Sequence, residues 1–244
     1  MRIAFDLDGV LADLHTPFVR TARRLFPDLD PQILESAEGT SSPPADADAP
    51  PDQDAPPALP GVTLTRRQSD AVWRELSGTE NFWEGLEEIE PGAIARLGAL
   101  ADERGWEVLF ITSRPRSRGR TVQRQSQRWL QARGFPMPSV YVVHGSRGRI
   151  ADAMAIDVVI DDRADNCLDI VLESKAGALL VWRAPEGTAP ASTKRLGIAV
   201  VPTVARVLDA LIEADRASEQ EGGVLDRLRR LFGLKPRTTS PVLR

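Results

Sequence analysis

Apolar positions along this chain follow two alternating rhythms. Short apolar runs at residues 3–5, 106–111, 139–143, 158–160, 178–182 and 198–201 have the length and continuity of buried strands. Between them, apolar residues recur at helical spacing. The first such stripe is Phe18, Val19, Ala22, Leu25 and Phe26, with Pro17 suited to the opening turn. The next is Val72, Trp73 and Leu76 after a candidate cap at Thr65, and the third is Ile94, Leu97, Leu100 and Ala101, closed by Gly105. A fourth stripe carries Val122, Trp129 and Leu130 and ends at Gly134, and further helices are predicted over 150–155, 166–175 and 204–214. Strands that alternate with helices imply parallel pairing through right-handed crossovers, so the fold class is α/β.

Two stretches break the rhythm. Residues 38–60 are rich in Pro, Ala and Asp and nearly devoid of large apolar side chains, so they cannot offset the entropy of ordering and read as a loop insertion. Residues 217–223 are polar and contain Gly, in the manner of a linker. Beyond them Val224, Leu225, Leu228, Leu231 and Phe232 oppose Arg227, Arg229, Arg230 and Lys235, a short basic amphipathic helix. That pattern suits contact with a partner or a membrane surface; docking on its own core is the commoner outcome. The acids of the stretch from Gly78 to Ala93 read as solvated surface. Its neighbouring aromatics Phe82 and Trp83 suit either core packing, the favoured reading, or a flat surface for an aromatic ligand.

Composition narrows the class. A chain of 244 residues is one large domain or one domain with an insertion, and 42% apolar content is ordinary for a globular protein. A net charge of −4 disfavours a nucleic-acid polymer as partner. The single cysteine, Cys167, excludes an intramolecular disulfide and fits a reducing compartment. No basic segment followed by an apolar one precedes Asp6, and no run approaches the ~18–20 apolar residues of a membrane span. A soluble, cytoplasmic protein is expected.

The candidate chemistry lies where strands end. Asp6 and Asp8 follow the first apolar run, with Gly9 beside them for a sharp turn. Thr112 and Ser113 follow the second run, and Asp161 and Asp162 the fourth. Parallel strands share a carboxyl edge, where α/β sheets bind ligands. Taken alone, each of these sites is an ordinary turn or cap. Together, four acids at one edge repel one another, and a hard divalent cation such as Mg²⁺ removes that repulsion. A hydroxyl and the basic stretch Ser146-Arg147-Gly148-Arg149, read as a turn, supply what a phosphoryl group needs beside such a cation.

Asp6-Leu7-Asp8-Gly9, then Leu109-Phe110-Ile111-Thr112, then Ile160-Asp161-Asp162, in this order, resemble the first, second and fourth motifs of the haloacid dehalogenase (HAD) superfamily of phosphotransferases over residues 1–185. The resemblance implies a Rossmann-like parallel sheet sandwiched by helices. It also implies an aspartyl-phosphate mechanism, with Asp6 as nucleophile and Asp8 as general acid and then base. Mg²⁺ would be held by Asp6, Asp8 through its carbonyl, and one of Asp161 or Asp162. Thr112 would bind the phosphoryl group. The stretches FDLDGVLAD, NFWEGLEEIEPGA, FITSRP and VIDDRADN look like the 5′(3′)-deoxyribonucleotidase-like branch. That branch implies a small helical cap inserted after the first strand, here 14–90, on a core of 1–13 and 91–214, with 215–244 as linker and tail. It also implies a small phosphorylated substrate such as a nucleotide, with Ser113 and Arg114 toward phosphate, Phe82 or Trp83 toward a base, and Asn166 either supporting the metal through a water or capping its helix. A dehalogenase is disfavoured, because that chemistry needs neither Asp8 nor a metal. One departure stands out. The family's third motif is usually a Lys, and no Lys occurs before Lys175. Arg147 best fills the position, with Arg149 second, and Arg is not a geometric copy of Lys. The alternative reading is therefore a catalytically weakened member that binds phosphate or a partner.

Overall fold

Each short apolar run becomes a strand. The structure is a computed structural model that describes residues 1–29, 62–185, 187–216, 228 and 230–234. The Pro/Ala/Asp-rich stretch 38–60 and the linker at 217–223 lie outside the described residues. A six-stranded sheet has the order β5-β4-β1-β6-β7-β8. Its strands are β1 (Arg2–Asp6), β4 (Glu107–Thr112), β5 (Ser139–Val142), β6 (Val158–Asp161), β7 (Gly177–Val181) and β8 (Ala199–Val201). The pairing is parallel, with Leu109 opposite Ser139, Val158 opposite Gly177 and Leu179 opposite Ala199. Helices flank the sheet, which explains why β1, β4, β6 and β7 carry continuous buried runs, whereas the edge strands β5 and β8 alternate, with Tyr141 and Val200 exposed. Ile3, Ala4 and Phe5 of β1 are fully buried, as are Val158 and Ile160 of β6.

The chain forms two compact units. One comprises Phe5–Gly145 with Ala184–Thr188. Here α1 (His15–Leu25) packs on α2 (Arg66–Gly78), and Phe18 meets Trp73 edge-on at 5.3 Å. Thr65 and Gln68 form a reciprocal capping box at the start of α2. A two-residue ribbon, β2 (Ala12–Asp13) against β3 (Glu87–Glu88), is antiparallel and too short to leave a periodic trace in the sequence. The acids after Gly78 are more than solvated surface. Glu88 accepts from the Gly92 and Ile94 amides at 3.0 and 2.7 Å and caps α3 (Ala93–Arg104), while Glu84 holds Arg120 and Arg128 at 3.2 and 3.1 Å. Beyond β4 lies α4 (Val122–Ala132), capped by the Thr121 hydroxyl.

The other unit comprises Met1–Ala4, Ser146–Arg183 and the chain from Ala189 onward. The basic stretch read as a turn is the start of a helix, α5 (Arg147–Ala153), because the Ser146 hydroxyl caps it through the Gly148 and Arg149 amides at 3.1 and 3.3 Å. Helix α6 (Ala164–Glu173) packs tightly against α5. A short α7 (Ala191–Arg195), which the apolar pattern does not disclose, precedes β8, and α8 (Val204–Arg216) follows it. In the tail, Leu228 is buried and shares a recess with Val158, Leu179 and Ala199 of the unit's own strands. Among the described residues no helix is long and apolar enough to cross a membrane.

The tight seam between α5 and α6 depends on Gly148. A methyl group there would overlap the Asp169 carbonyl and come within 2.7 Å of the Glu173 Cβ. Gly148→Ala is expected to lower stability by about 1–3 kcal/mol, as overpacking does. In urea unfolding this reads as a lower midpoint with an unchanged slope.

Candidate active site

The first cluster is built by the chain leaving β1. Asp6 is the last residue of that strand and is 9% exposed. The chain then reverses. Both the Leu11 and Ala12 amides donate to the Leu7 carbonyl, at 2.9 and 2.7 Å, and the Gly9 amide donates to the Ala12 carbonyl at 3.0 Å. Gly9 makes this turn at φ +80°, a region in which side chains are penalised. The turn sets the carboxylate of Asp8 against the end of β4. There the Thr112 hydroxyl, itself buried, donates to Asp8 Oδ2 at 3.5 Å. Ser113 follows, half-buried.

The strongest partner of Asp8 is Arg114, two residues past Thr112. Its Nε donates to Asp8 Oδ2 at 2.8 Å and to Oδ1 at 3.1 Å, and its Nη2 donates to Oδ1 at 2.7 Å. Its Nη1 donates to Ser126 Oγ of α4 at 2.9 Å. The side chain of Arg114 is wholly buried, whereas that of Asp8 keeps 18% exposure. The guanidinium lies over Trp83 at 4.7 Å and over Trp129 at 5.7 Å. Both rings are fixed in turn. The Trp83 indole donates to the Pro115 carbonyl at 3.1 Å, and that of Trp129 to the Leu86 carbonyl at 2.7 Å. Gln125, fully buried, accepts from the Trp83 amide at 3.0 Å and donates to Ser117 Oγ and the Arg120 carbonyl.

These contacts correct two expectations. Arg114 does not reach toward solvent to meet phosphate, because its fork is committed to Asp8 and Ser126. Trp83 sits in the 3₁₀ helix Phe82–Glu84 at 1% exposure, so its ring has no open face on which a base could stack. It is a packing residue that carries Arg114.

The second cluster belongs to the other unit. Asp161 ends β6 and is fully buried. The Arg163 amide donates to its Oδ1 at 2.8 Å, and Asn166 Nδ2 lies at 3.1 and 3.0 Å from its two oxygens. Asn166, expected to act through a water, therefore holds the carboxylate directly. Arg147, the first residue of α5 and also buried, brings Nε to 3.9 Å from Asp161 Oδ2. Burial pushes the Asp161 carboxyl above its ordinary pKa, and Arg147, the Arg163 amide and Asn166 work against that rise. Asp162, next along, is half-buried. Arg149, the second candidate cation, is turned away and pairs with Glu173 at 3.5 Å with its side chain 82% exposed.

Sequence reasoning missed the supports: Ser126, Gln125 and Trp129 in their roles around Arg114. A signal existed. Gln125 and Ser126 share the buried face of α4 with Val122 and Trp129, and polar side chains on an apolar stripe usually have a partner inside.

This arrangement of strands and helices is that of known hydrolases. The chain is similar in fold to a HAD family hydrolase from Deinococcus radiodurans R1, a structure with bound phosphate and sodium. The TM-score is 0.54 and the identity 18%, over 87% of this chain and 95% of that one. It is also similar to a hydrolase from Pseudomonas syringae, with a TM-score of 0.52 and 16% identity over 87% and 99%. At these identities the likeness is one of fold. No family model matches the sequence, and no curated protein matches it.

Cys167 of α6 is fully buried beside this second cluster. Burial, reinforced by the charges of Asp161 and Asp162, pushes its thiol well above the ordinary range. A nucleophilic thiolate is therefore scarce in the native protein. At about pH 8 the folded chain is expected to leave Ellman's reagent unreacted, whereas the chain in guanidinium releases one equivalent of thionitrobenzoate. A rapid stoichiometric reaction of the folded chain would contradict this environment.

Proposed function

We propose that the chain is a Mg²⁺-dependent phosphomonoester hydrolase that works through an aspartyl-phosphate, on a nucleotide or another small phosphate. The observation that carries the reading is the position of the Asp6–Asp8 pair. It stands at the carboxyl end of β1, a central strand of the parallel sheet, where ligands of such sheets bind. The fold shared with hydrolases, one of them holding phosphate, supports it.

Asp6 Oδ attacks the phosphorus, and the bond from phosphorus to the ester oxygen breaks with its electron pair on that oxygen. Asp8 gives its proton to the departing alcohol. Asp8 then takes a proton from the water that attacks the aspartyl-phosphate, which frees Asp6 and inorganic phosphate and restores the proton to Asp8. Thr112 and Ser113 bind phosphoryl oxygens, and Arg147 pairs with the phosphate. In this reading Asp6, the Asp8 carbonyl and one of Asp161 or Asp162 would hold Mg²⁺ when it is bound. The donor chemistry suits this ion. The donors are carboxylate and carbonyl oxygens, the ligand type that a hard divalent cation takes. Mg²⁺ binds through one or two carboxylates and keeps waters and substrate phosphate oxygens as its other ligands. When bound it neutralises charge on the transferring phosphoryl group.

The test is phosphate release with Mg²⁺ from a panel of aliphatic and aryl phosphomonoesters that includes nucleoside monophosphates. The wild type is expected to turn over at least one of them. Asp6→Asn should fall by about 10³-fold or more, as loss of a nucleophile does. Background release from both proteins across the panel would refute the hydrolase and favour the phosphate-binding alternative, to which the Arg at position 147 lends support. In that event, activity regained by Arg147→Lys would assign the weakness to that residue.

A further inference from the structure

Between Glu107 and Asp152 the chain carries nine arginines and no acid, so the net charge of −4 hides a strong local excess of positive charge. Arg116, Arg118, Arg120, Arg124 and Arg128 are all exposed, and Glu84 is the only acid ion-paired with them among the described residues. The field at a surface is set by charges within about 10 Å at 0.1 M salt, not by the molecular total. We infer that this face, from the loop after β4 along the exposed side of α4, is a docking site for the phosphodiester backbone of a single-stranded nucleic acid. The inference does not depend on the hydrolase reading.

The backbone of the loop is pinned while its cations stay outside. The Arg118 amide donates to the Ser77 carbonyl at the end of α2, and the Arg118 carbonyl accepts from the Asn81 amide, both at 2.8 Å. The Arg120 amide donates to Asn81 Oδ1 at 2.9 Å. Gly119 permits this approach, because a Cβ there would come within 2.4 Å of the same oxygen. The side chains of Arg116 and Arg118, and of Arg124 on α4, make no hydrogen bond or ion pair with a described residue. Arg120 and Arg128 share Glu84, so one charge of the five is compensated. Arg124 and Arg128 stand one turn apart on α4, about 6 Å along its axis. Beside them a recess of about 320 Å³ is lined by these two arginines, Gln127, Gln131, Met137 and Pro138. Charge, amide and apolar surface meet there. A nucleic-acid strand matches all three, with phosphates for the guanidinium forks, base edges for the amides and base faces for Met137 and Pro138. The five cations are all arginines, whose planar forks meet phosphate oxygens in pairs. An acidic peptide would use chiefly the charge, and the face lacks the large aromatic anchor on which protein interfaces centre.

The experiment follows the fluorescence anisotropy of a labelled oligothymidylate of about 15 nucleotides, titrated with the full chain between about 50 and 200 mM KCl. At the lowest salt the wild type is expected to bind with a Kd on the order of 10 μM. The logarithm of its association constant should fall against that of the salt concentration with a slope of about −2, the value for three phosphates neutralised on a single strand. Changing Arg116, Arg118 and Arg124 together to Gln should weaken binding at least about tenfold and flatten the slope toward zero. Changing the same three to Lys should keep most of the slope, because counterion release follows charge. Lys175, Lys194 and Arg195 of the other unit, changed together to Gln, lower the net charge equally and should alter binding less than about twofold. If the first triple variant does not fold, Arg124→Gln alone should weaken binding about two- to threefold with a slope shallower by about 0.7. Absence of binding at the lowest salt, or equal losses in the two Gln triple variants, would overturn the inference. So would displacement of the probe by polyglutamate as effective as that by unlabelled oligothymidylate, which would assign the face to an acidic protein instead.

Discussion

A carboxylate taken out of water needs a partner that replaces the lost solvent, and much of this structure is arranged around that requirement. Two acids at strand ends are met by arginines, one in each unit. Asp8 has Arg114, which arrives with β4; Asp161 has Arg147, which opens α5. The arginines are themselves buried, so each needs further support. Arg114 finds it in Ser126 and two indole rings, and Arg147 is carried by a helix whose start Ser146 caps and whose close packing Gly148 permits. The demand of one acid thus propagates outward through several shells of ordinary packing.

The elements of the fold were legible because the inner strands are buried on both faces and the helices on one. Continuous runs and helical stripes are then distinct signals, and the runs at 3–5, 158–160 and 178–182 match β1, β6 and β7 to within one residue at either end. Elements with too few residues to show a period were not legible, namely the β2–β3 ribbon and α7. The start of α5 was hidden for another reason. Arg147-Gly148-Arg149 has the composition of a turn, and only the caps and the neighbouring α6 turn it into a helix.

The strand-end positions of the acids could be read directly, since Asp6 and Asp161 each close a continuous apolar run and are the last residues of β1 and β6. The connections among side chains could not. A buried arginine and a solvent-facing one are the same letter, and whether Arg114 meets a substrate or a carboxylate depends on contacts formed by residues as distant in sequence as Asp8, Trp83 and Ser126. The same holds for Trp83, whose place under the guanidinium is set by Pro115 and Gln125. Sequence pattern located the acids along the chain; tertiary packing decided which cation serves which anion.

The seclusion of Cys167 has a practical side. A chain whose sole thiol is sealed in its interior behaves toward thiol-directed probes as though it had none. A cysteine introduced at a surface position such as Met137, 85% exposed near the end of α4, would be the only one that a dye or spin label finds. Distances and motions could then be followed without first replacing the natural residue and disturbing the packing behind Asp161.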